Sequence, residues 1–438
     1  MKKKYSVIFL LTILLFSVST KAQWSTTTLS TARYNLSAAS NGNKAMFAGG
    51  IGMVSIPYDV VDIYNTSGSP LAGANLANGR TDIAATACGS KLFFAGGADD
   101  GILINFDIVD IYDGVTNGWT TKNMSAARTK LAAASSGNQV FFAGGVNDGA
   151  GTCFKLVDVY DTATLAWTTT DLSIPRYNLA GASAGGKVLF AGGTDLSGTV
   201  YDVVDIYDVG TSTWTSATLF EARYNCTATA CGNKIFIAGG IGSGGTESKV
   251  VDIYDVTTNT WSHDLLSIGR FLMSSAAVGN LVFFAAGADA GLSFVTDVVD
   301  IYDTTSQTWS TSHLTQGRAW GAATSIGDLF MIGGGINETF TPLNSVEIYS
   351  IITATSFLSN EKSLAIFPNP VGDNLNLINS LHQGSLEISN SLGQVVLRKT
   401  LSENPGLLSV SVDFLSQGIY TIEIRDGEKR VFRKFVKS

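Results

Sequence analysis

Seven short runs along the chain are apolar at almost every position and then stop on small residues: AMFAGG, LFFAGG, VFFAGG, VLFAGG, IFIAGG, VFFAAG and FMIGG. A strand with one wet face alternates apolar with polar residues. Uninterrupted runs of this length predict strands covered on both faces. Glycine weakens a strand and often marks the close approach of another backbone or ring. The pairs fall at Gly49-Gly50, Gly96-Gly97, Gly144-Gly145, Gly192-Gly193, Gly239-Gly240, Ala286-Gly287 and Gly333-Gly334, in steps of 47 or 48 residues.

Two more marks keep the same step. VDIY or a variant ends at Tyr64, Tyr112, Tyr160, Tyr207, Tyr254, Tyr302 and Tyr349, and a Trp follows seven residues later at Trp119, Trp167, Trp214, Trp261 and Trp309. Self-similarity at this period means a stacked or closed array of units. Each unit divides into four strands. In the third, LAAAS is followed by a Gly-Asn hairpin turn, then VFFAGG, a loop of about ten residues, KLVDVYD, a turn and AWTTTDL. Four strands per unit with no helical periodicity between units predict the blades of a propeller.

The double glycine, the Tyr and the Trp at a fixed gap resemble the kelch repeat over residues 23–352. Leu71 stands where the first repeat should carry its Trp, and Ala286 replaces one glycine. The last repeat has Tyr349 but Ser356 in the Trp position, while QWSTTTLS at the N-terminal end matches AWTTTDLS without a preceding Tyr. Gln23–Thr28 is therefore expected to supply the outer strand of the last blade, closing a ring of seven and removing its open edges. In the alternative, TATSFLS after Tyr349 forms that strand itself.

The period stops at Ile352. Residues 353–363 read as a polar connector, and 364–438 alternate in NLNLI, SLEIS and YTIEI between Gly-rich turns, the pattern of a small antiparallel sandwich. Pro368-Asn369-Pro370, the NSLGQVV hairpin at Gly393, GIYTIEI at Gly418 and Tyr420, and the terminal KFVKS with Lys434 resemble the C-terminal sorting domain of the type IX secretion system of Bacteroidetes-type bacteria. The resemblance implies passage through the outer membrane with the secretion machinery as partner. The fold class expected is all-β: a seven-bladed kelch-type propeller followed by a small sandwich.

Composition narrows the setting. MKKKYSVIFLLTILLFSVSTKAQ has a basic start, an apolar stretch too short to span a membrane comfortably, and Thr20 and Ala22 at −3 and −1 of a cut before Gln23, so residues 1–22 read as a secretory signal peptide. No cysteine follows the cut, which argues against a lipid anchor there. The mature chain has no further membrane-length apolar run, and a net charge of −8 supplies no basic footprint for nucleic acid. The protein is expected to be secreted or held at the outer cell surface. Cys88, Cys153, Cys226 and Cys231 lack metal-ligand spacing and read as small core residues.

An arginine precedes each first strand: Arg33, Arg80, Arg128, Arg176, Arg223, Arg270 and Arg318. In a propeller these positions ring one mouth of the central channel, and guanidinium forks suit a carboxylate or sulfate, so the seven are the candidate ligand-binding residues. An acid also recurs in each third strand, at Asp62, Asp110, Asp158, Asp205, Asp252, Asp300 and Glu347, and the repetition favours pairing of the two sets as architecture. The loops between second and third strands vary most, which is where binding usually sits. ADDG and VNDG within them read as turn acids, since they lack the fixed spacing of a Ca²⁺ loop. His263 and His313 lie in outermost strands, the sialidase box is missing, and RYN at Tyr34, Tyr177 and Tyr224 follows the repeat, so no catalytic set, metal or cofactor is expected. The reading is a binding protein for a protein or glycan ligand, acidic if the arginines meet it. The alternative is a carbohydrate-active enzyme, sialidase- or epimerase-like, that uses the arginine-lined mouth.

Overall fold

The computed structural model describes residues 23–351 apart from 55, 100, 102–103 and 290–294, and residues 364–437 apart from 368, 370, 380–383, 391–393, 402–406 and 427–428. The expected signal peptide, the expected connector, TATSFLS, Pro368, Pro370 and Gly393 lie outside the described residues. Every regular element described is a strand. The chain forms two compact units, Met1–Ile351 and Ile352–Ser438.

Among the described residues the first unit contains seven four-stranded antiparallel sheets, six of them with their strands paired in chain order. In the third, Ala132–Ser136, Gln139–Ala143, Leu156–Asp161 and Trp167–Asp171 pair in sequence. The glycine-ended runs are the second strands. Phe93, Phe141, Phe142, Phe190, Phe236, Phe283 and Phe330 on them are buried, on both sides of their sheets, which is why these strands do not alternate. Burying each such ring contributes about 1.5–3 kcal/mol.

Tyr and Trp face each other across the third and fourth strands. The ring centroids are 4.9–5.3 Å apart in Tyr112–Trp119, Tyr160–Trp167, Tyr207–Trp214, Tyr254–Trp261 and Tyr302–Trp309. The seventh sheet joins Ala322–Ile326, Leu329–Gly333 and Ser345–Ser350 to Gln23–Thr28. Trp24 there lies opposite Tyr349, 5.0 Å from its ring, and donates from Nε1 to Ser312 Oγ of the sixth sheet at 2.8 Å. The innermost strands touch in chain order, and the first, Ser37–Ser40, touches the last, Ala322–Ile326.

The first sheet departs from the repeat. Its outer strand is only Ala74–Asn75, with Leu71 exposed in place of the Trp. Tyr64 packs instead on Phe47 at 5.7 Å and donates its hydroxyl to the Thr28 carbonyl. The missing cover leaves the Asp62 side chain 13% exposed, where its six counterparts are at 0–5%.

In the second unit, Leu364–Phe367, Asn374–Asn379 and Leu407–Ser411 form one sheet, and Val395–Leu401, Gly384–Asn390, Gly418–Asp426 and Lys429–Lys437 another. Leu375, Leu377 and Val410 of the first share a core with Leu386, Ile388, Ile422, Ile424 and Phe435 of the second. Asn369 ties the start of this unit to its last strand, accepting from Val436 N at 2.9 Å. Tyr420 stacks on Phe435 and donates to the Ser416 carbonyl, Gly418 opens its strand, and Lys434 is exposed.

Candidate functional site

The seven arginines are 0–1% exposed, so none presents its guanidinium to solvent. Each reaches the acid of its own sheet: Arg33–Asp62 at 2.7 Å, Arg80–Asp110, Arg128–Asp158, Arg176–Asp205 and Arg270–Asp300 at 2.8 Å, Arg318–Glu347 at 2.6 Å, and Arg223–Asp252. In Arg33–Asp62 and Arg128–Asp158 the facing carboxylate oxygen is at ion-pair distance without an aligned hydrogen bond. Arg176 also donates to the carbonyls of Ile174 and Phe190, and Arg33, Arg80, Arg128 and Arg270 repeat this pattern. Burial pulls Arg80, Arg128, Arg176, Arg270 and Arg318 below the ordinary arginine pKa, while the paired acid opposes the shift.

The acids hold the chain that arrives from the preceding sheet. Ser30 N donates to Asp62, Ala77 N to Asp110, Ser125 N to Asp158, Ser173 N to Asp205, Phe220 N to Asp252, Ser267 N to Asp300 and Thr315 N to Glu347. The arginine backbone reaches the same preceding sheet at its glycine pair. The carbonyls of Arg80, Arg128, Arg176, Arg223, Arg270, Arg318 and Arg33 accept from Gly50, Gly97, Gly145, Gly193, Gly240, Gly287 and Gly335, and the last bond closes the cycle at 2.9 Å. A Cβ on the first glycine of a pair would lie 2.3–2.6 Å from that carbonyl oxygen at Gly49, Gly96, Gly144, Gly192, Gly239 and Gly334.

This corrects the last pair. It is Gly334-Gly335, with φ of 66° and 98° like the other pairs, and not Gly333-Gly334; Gly333 holds the place of the preceding alanine. The constant interval of sixteen residues from arginine to first glycine carried that signal. The one alanine stands at a first position, where φ is 60–67° and Ala286 has 64°; second positions sit at 97–110°, which only glycine adopts readily.

What lines the mouth is the residue two places after each arginine. Asn35, Asp82, Lys130, Asn178, Asn225, Leu272 and Trp320 all have φ of 50–55° and are half-buried. Backbone bonds link neighbours among them, from Asn35 N to Trp320 O and from Asn225 N to Asn178 O at 3.0 Å. Together they line a pocket of about 240 Å³. Five consecutive members are polar and two are apolar. The side-chain amides of Asn35, Asn178 and Asn225 have no partner among the described residues. Beside the pocket, Tyr177, Asn178, Tyr224 and Gly242 line a second hollow of about 260 Å³. Trp320 lies 6.1 Å from Tyr34, and Lys130 pairs with Asp148 at 3.2 Å. Met53, Val54, Ile56, Leu196 and Phe340 on the loops after the second strands are exposed. In ADDG and VNDG, Asp99 and Asn147 accept backbone N–H groups of their own turns.

The mouth residues escaped the sequence reading because they differ in type; what unites them is backbone conformation. Asn in RYN, a residue that accepts left-handed φ, was the available signal.

A ring-like succession of four-stranded sheets stapled by arginine, acid and glycine pair defines a repeat β-propeller. Residues 130–335 match the KLHDC2/KLHL20/DRC7 Kelch-repeats domain, and residues 365–438 match the Secretion system C-terminal sorting domain. The chain thus carries kelch repeats and a type IX sorting domain, which directs it to the outer cell surface or the extracellular space. No curated protein matches it. Among solved structures, that titled "Structure of YjhT" is similar with a TM-score of 0.52 at 14% identity, over 63% of this chain and 96% of that one, a likeness of fold alone.

Proposed function

We propose that the seven sheets are the blades of one closed propeller over residues 23–352, with a signal peptide at 1–22, a connector at 353–363 and a sorting sandwich at 364–438. The secreted protein works by binding a ligand at the channel mouth, on the face that carries the long loops. The unbroken Gly-to-Arg cycle and the Gln23–Thr28 pairing support the ring. The shared core of the two C-terminal sheets supports the sandwich.

The observation that carries the binding reading is the mouth pocket, lined by three amides that have no partner among the described residues. The arginines serve the ring as staples, which leaves a sialidase- or epimerase-like mechanism without the cationic groups it would use. A combined glycan and peptide array, probed with the purified secreted chain and with Asn178→Gly/Asn225→Gly, tests this. Loss of the retained probes in the variant is expected. An unchanged pattern, or sustained turnover of a bound probe, overturns the reading.

A further inference from the structure

The mouth is a pocket with two chemically distinct arcs, and we infer that it binds a neutral saccharide of one or two rings, a reading that rests on the mouth being the binding face. Going round the channel, Asn35, Asp82, Lys130, Asn178 and Asn225 form a continuous polar arc, and Leu272 and Trp320 complete the circle. A pyranose has the same division, with hydroxyls at its edge and an apolar C–H face.

Each sugar hydroxyl both donates and accepts. A carboxamide is the side chain that meets it in both senses from one planar group. Three such amides stand here with no partner among the described residues. Trp320, 6.1 Å from Tyr34, supplies the aromatic surface of the remaining arc, beside Asn35. The charges do not favour an ionic ligand: the arc holds one carboxylate, Asp82, and one ammonium, Lys130, already engaged by Asp148. A pocket of about 240 Å³ is small for a folded partner or a peptide run, and the adjoining hollow shares Asn178, which extends the site to a second ring past Tyr177 and Tyr224.

The seven positions share left-handed backbone, so glycine substitutions remove a side chain without straining the turn. The test is saturation-transfer NMR and calorimetry on the full secreted chain. The probes are glucose, galactose, N-acetylglucosamine and lactose, with glucuronate as the anionic comparison and a proline-free octapeptide library as the peptide comparison. Neutral monosaccharides are expected to bind with Kd of about 1 mM, as for small ligands of this size, and the disaccharide more tightly. Asn178→Gly and Asn225→Gly are each expected to weaken binding by about tenfold. Their melting temperatures should match wild type, and Leu165→Asn, on an exposed outer turn, should bind normally.

Sugar binding unaffected by either glycine variant overturns the inference, as does a preference for glucuronate or the absence of any sugar binding. Peptides bound at the mouth in place of sugars also overturn it while the mouth-face reading stands. Probes that bind indifferently to all mouth variants sink both.

Discussion

Arg176→Met separates the two roles an arginine near a propeller mouth can have. The guanidinium is 0% exposed, 2.8 Å from Asp205, and donates to the carbonyls of Ile174 and Phe190. Methionine fills much of the volume but leaves the Asp205 carboxylate buried without its counter-charge. Removing one partner of a buried pair costs about 3–5 kcal/mol, most of it the uncompensated charge. At about 2 °C per kcal/mol for a domain of this size, the melting temperature should fall by about 8 °C. Arg176→Met/Asp205→Leu removes both charges and should recover at least half of that loss, the remainder reflecting the Ser173 N–H and hydroxyl that Asp205 now accepts. Scanning calorimetry of wild type, single and double variants at one pH and salt concentration reads this directly. If the single variant melts within 2 °C of wild type, or the double variant is no more stable than the single, the staple argument is wrong. If the folded single variant instead loses anionic-ligand binding at unchanged stability, the arginines belong to a site after all.

Three further outcomes follow from the same geometry. Deleting Gln23–Thr28 strips the outer strand from Ser345–Ser350 together with the Trp24–Ser312 bond, and should lower the melting temperature sharply; calorimetry of the truncated chain showing no change would refute the closure. Gly145→Ala should be far more damaging than Ala286→Gly, because φ of 99° brings its Cβ to 2.8 Å from the Thr129 carbonyl, whereas Ala286→Gly only relieves a tolerated conformation; equal urea midpoints would contradict this. Asp195 accepts from the Ser197 and Tyr201 hydroxyls and from Thr199 N and Ser197 N, which hold its carboxyl well below the usual aspartate range. Its contribution is therefore complete above the unfolded value of about 3.9 and is lost only as pH falls through the depressed folded value. The carboxyl carbon shift of Asp195 should accordingly stay flat down to pH about 4, and a midpoint at or above that value would refute it.

The period of the repeat made much of the architecture legible. Glycine pairs, tyrosines and tryptophans are spent on the same packing task in each unit, so their spacing survives as text. Arg176 shows the limit of that text. Its recurrence announced a role, but a cation ringing a channel and a cation sealed beneath it look alike until the neighbouring acid and carbonyls are located. Lys130, Leu272 and Trp320 show the opposite limit: they occupy one conformational position with Asn178, yet share no chemistry that a pattern could register. Leu71 was visible as an anomaly, whereas the shortening of its strand to Ala74–Asn75 and the contact of Tyr64 with Phe47 were not.

The bonds from Gly50 round to Gly335 form a circuit in which no junction is privileged. Where the polypeptide happens to start is thus incidental to what holds the molecule together. New termini cut into an exposed outer turn such as that at Val115, with the old ends spliced, should give a chain that assembles the same circuit from a different origin.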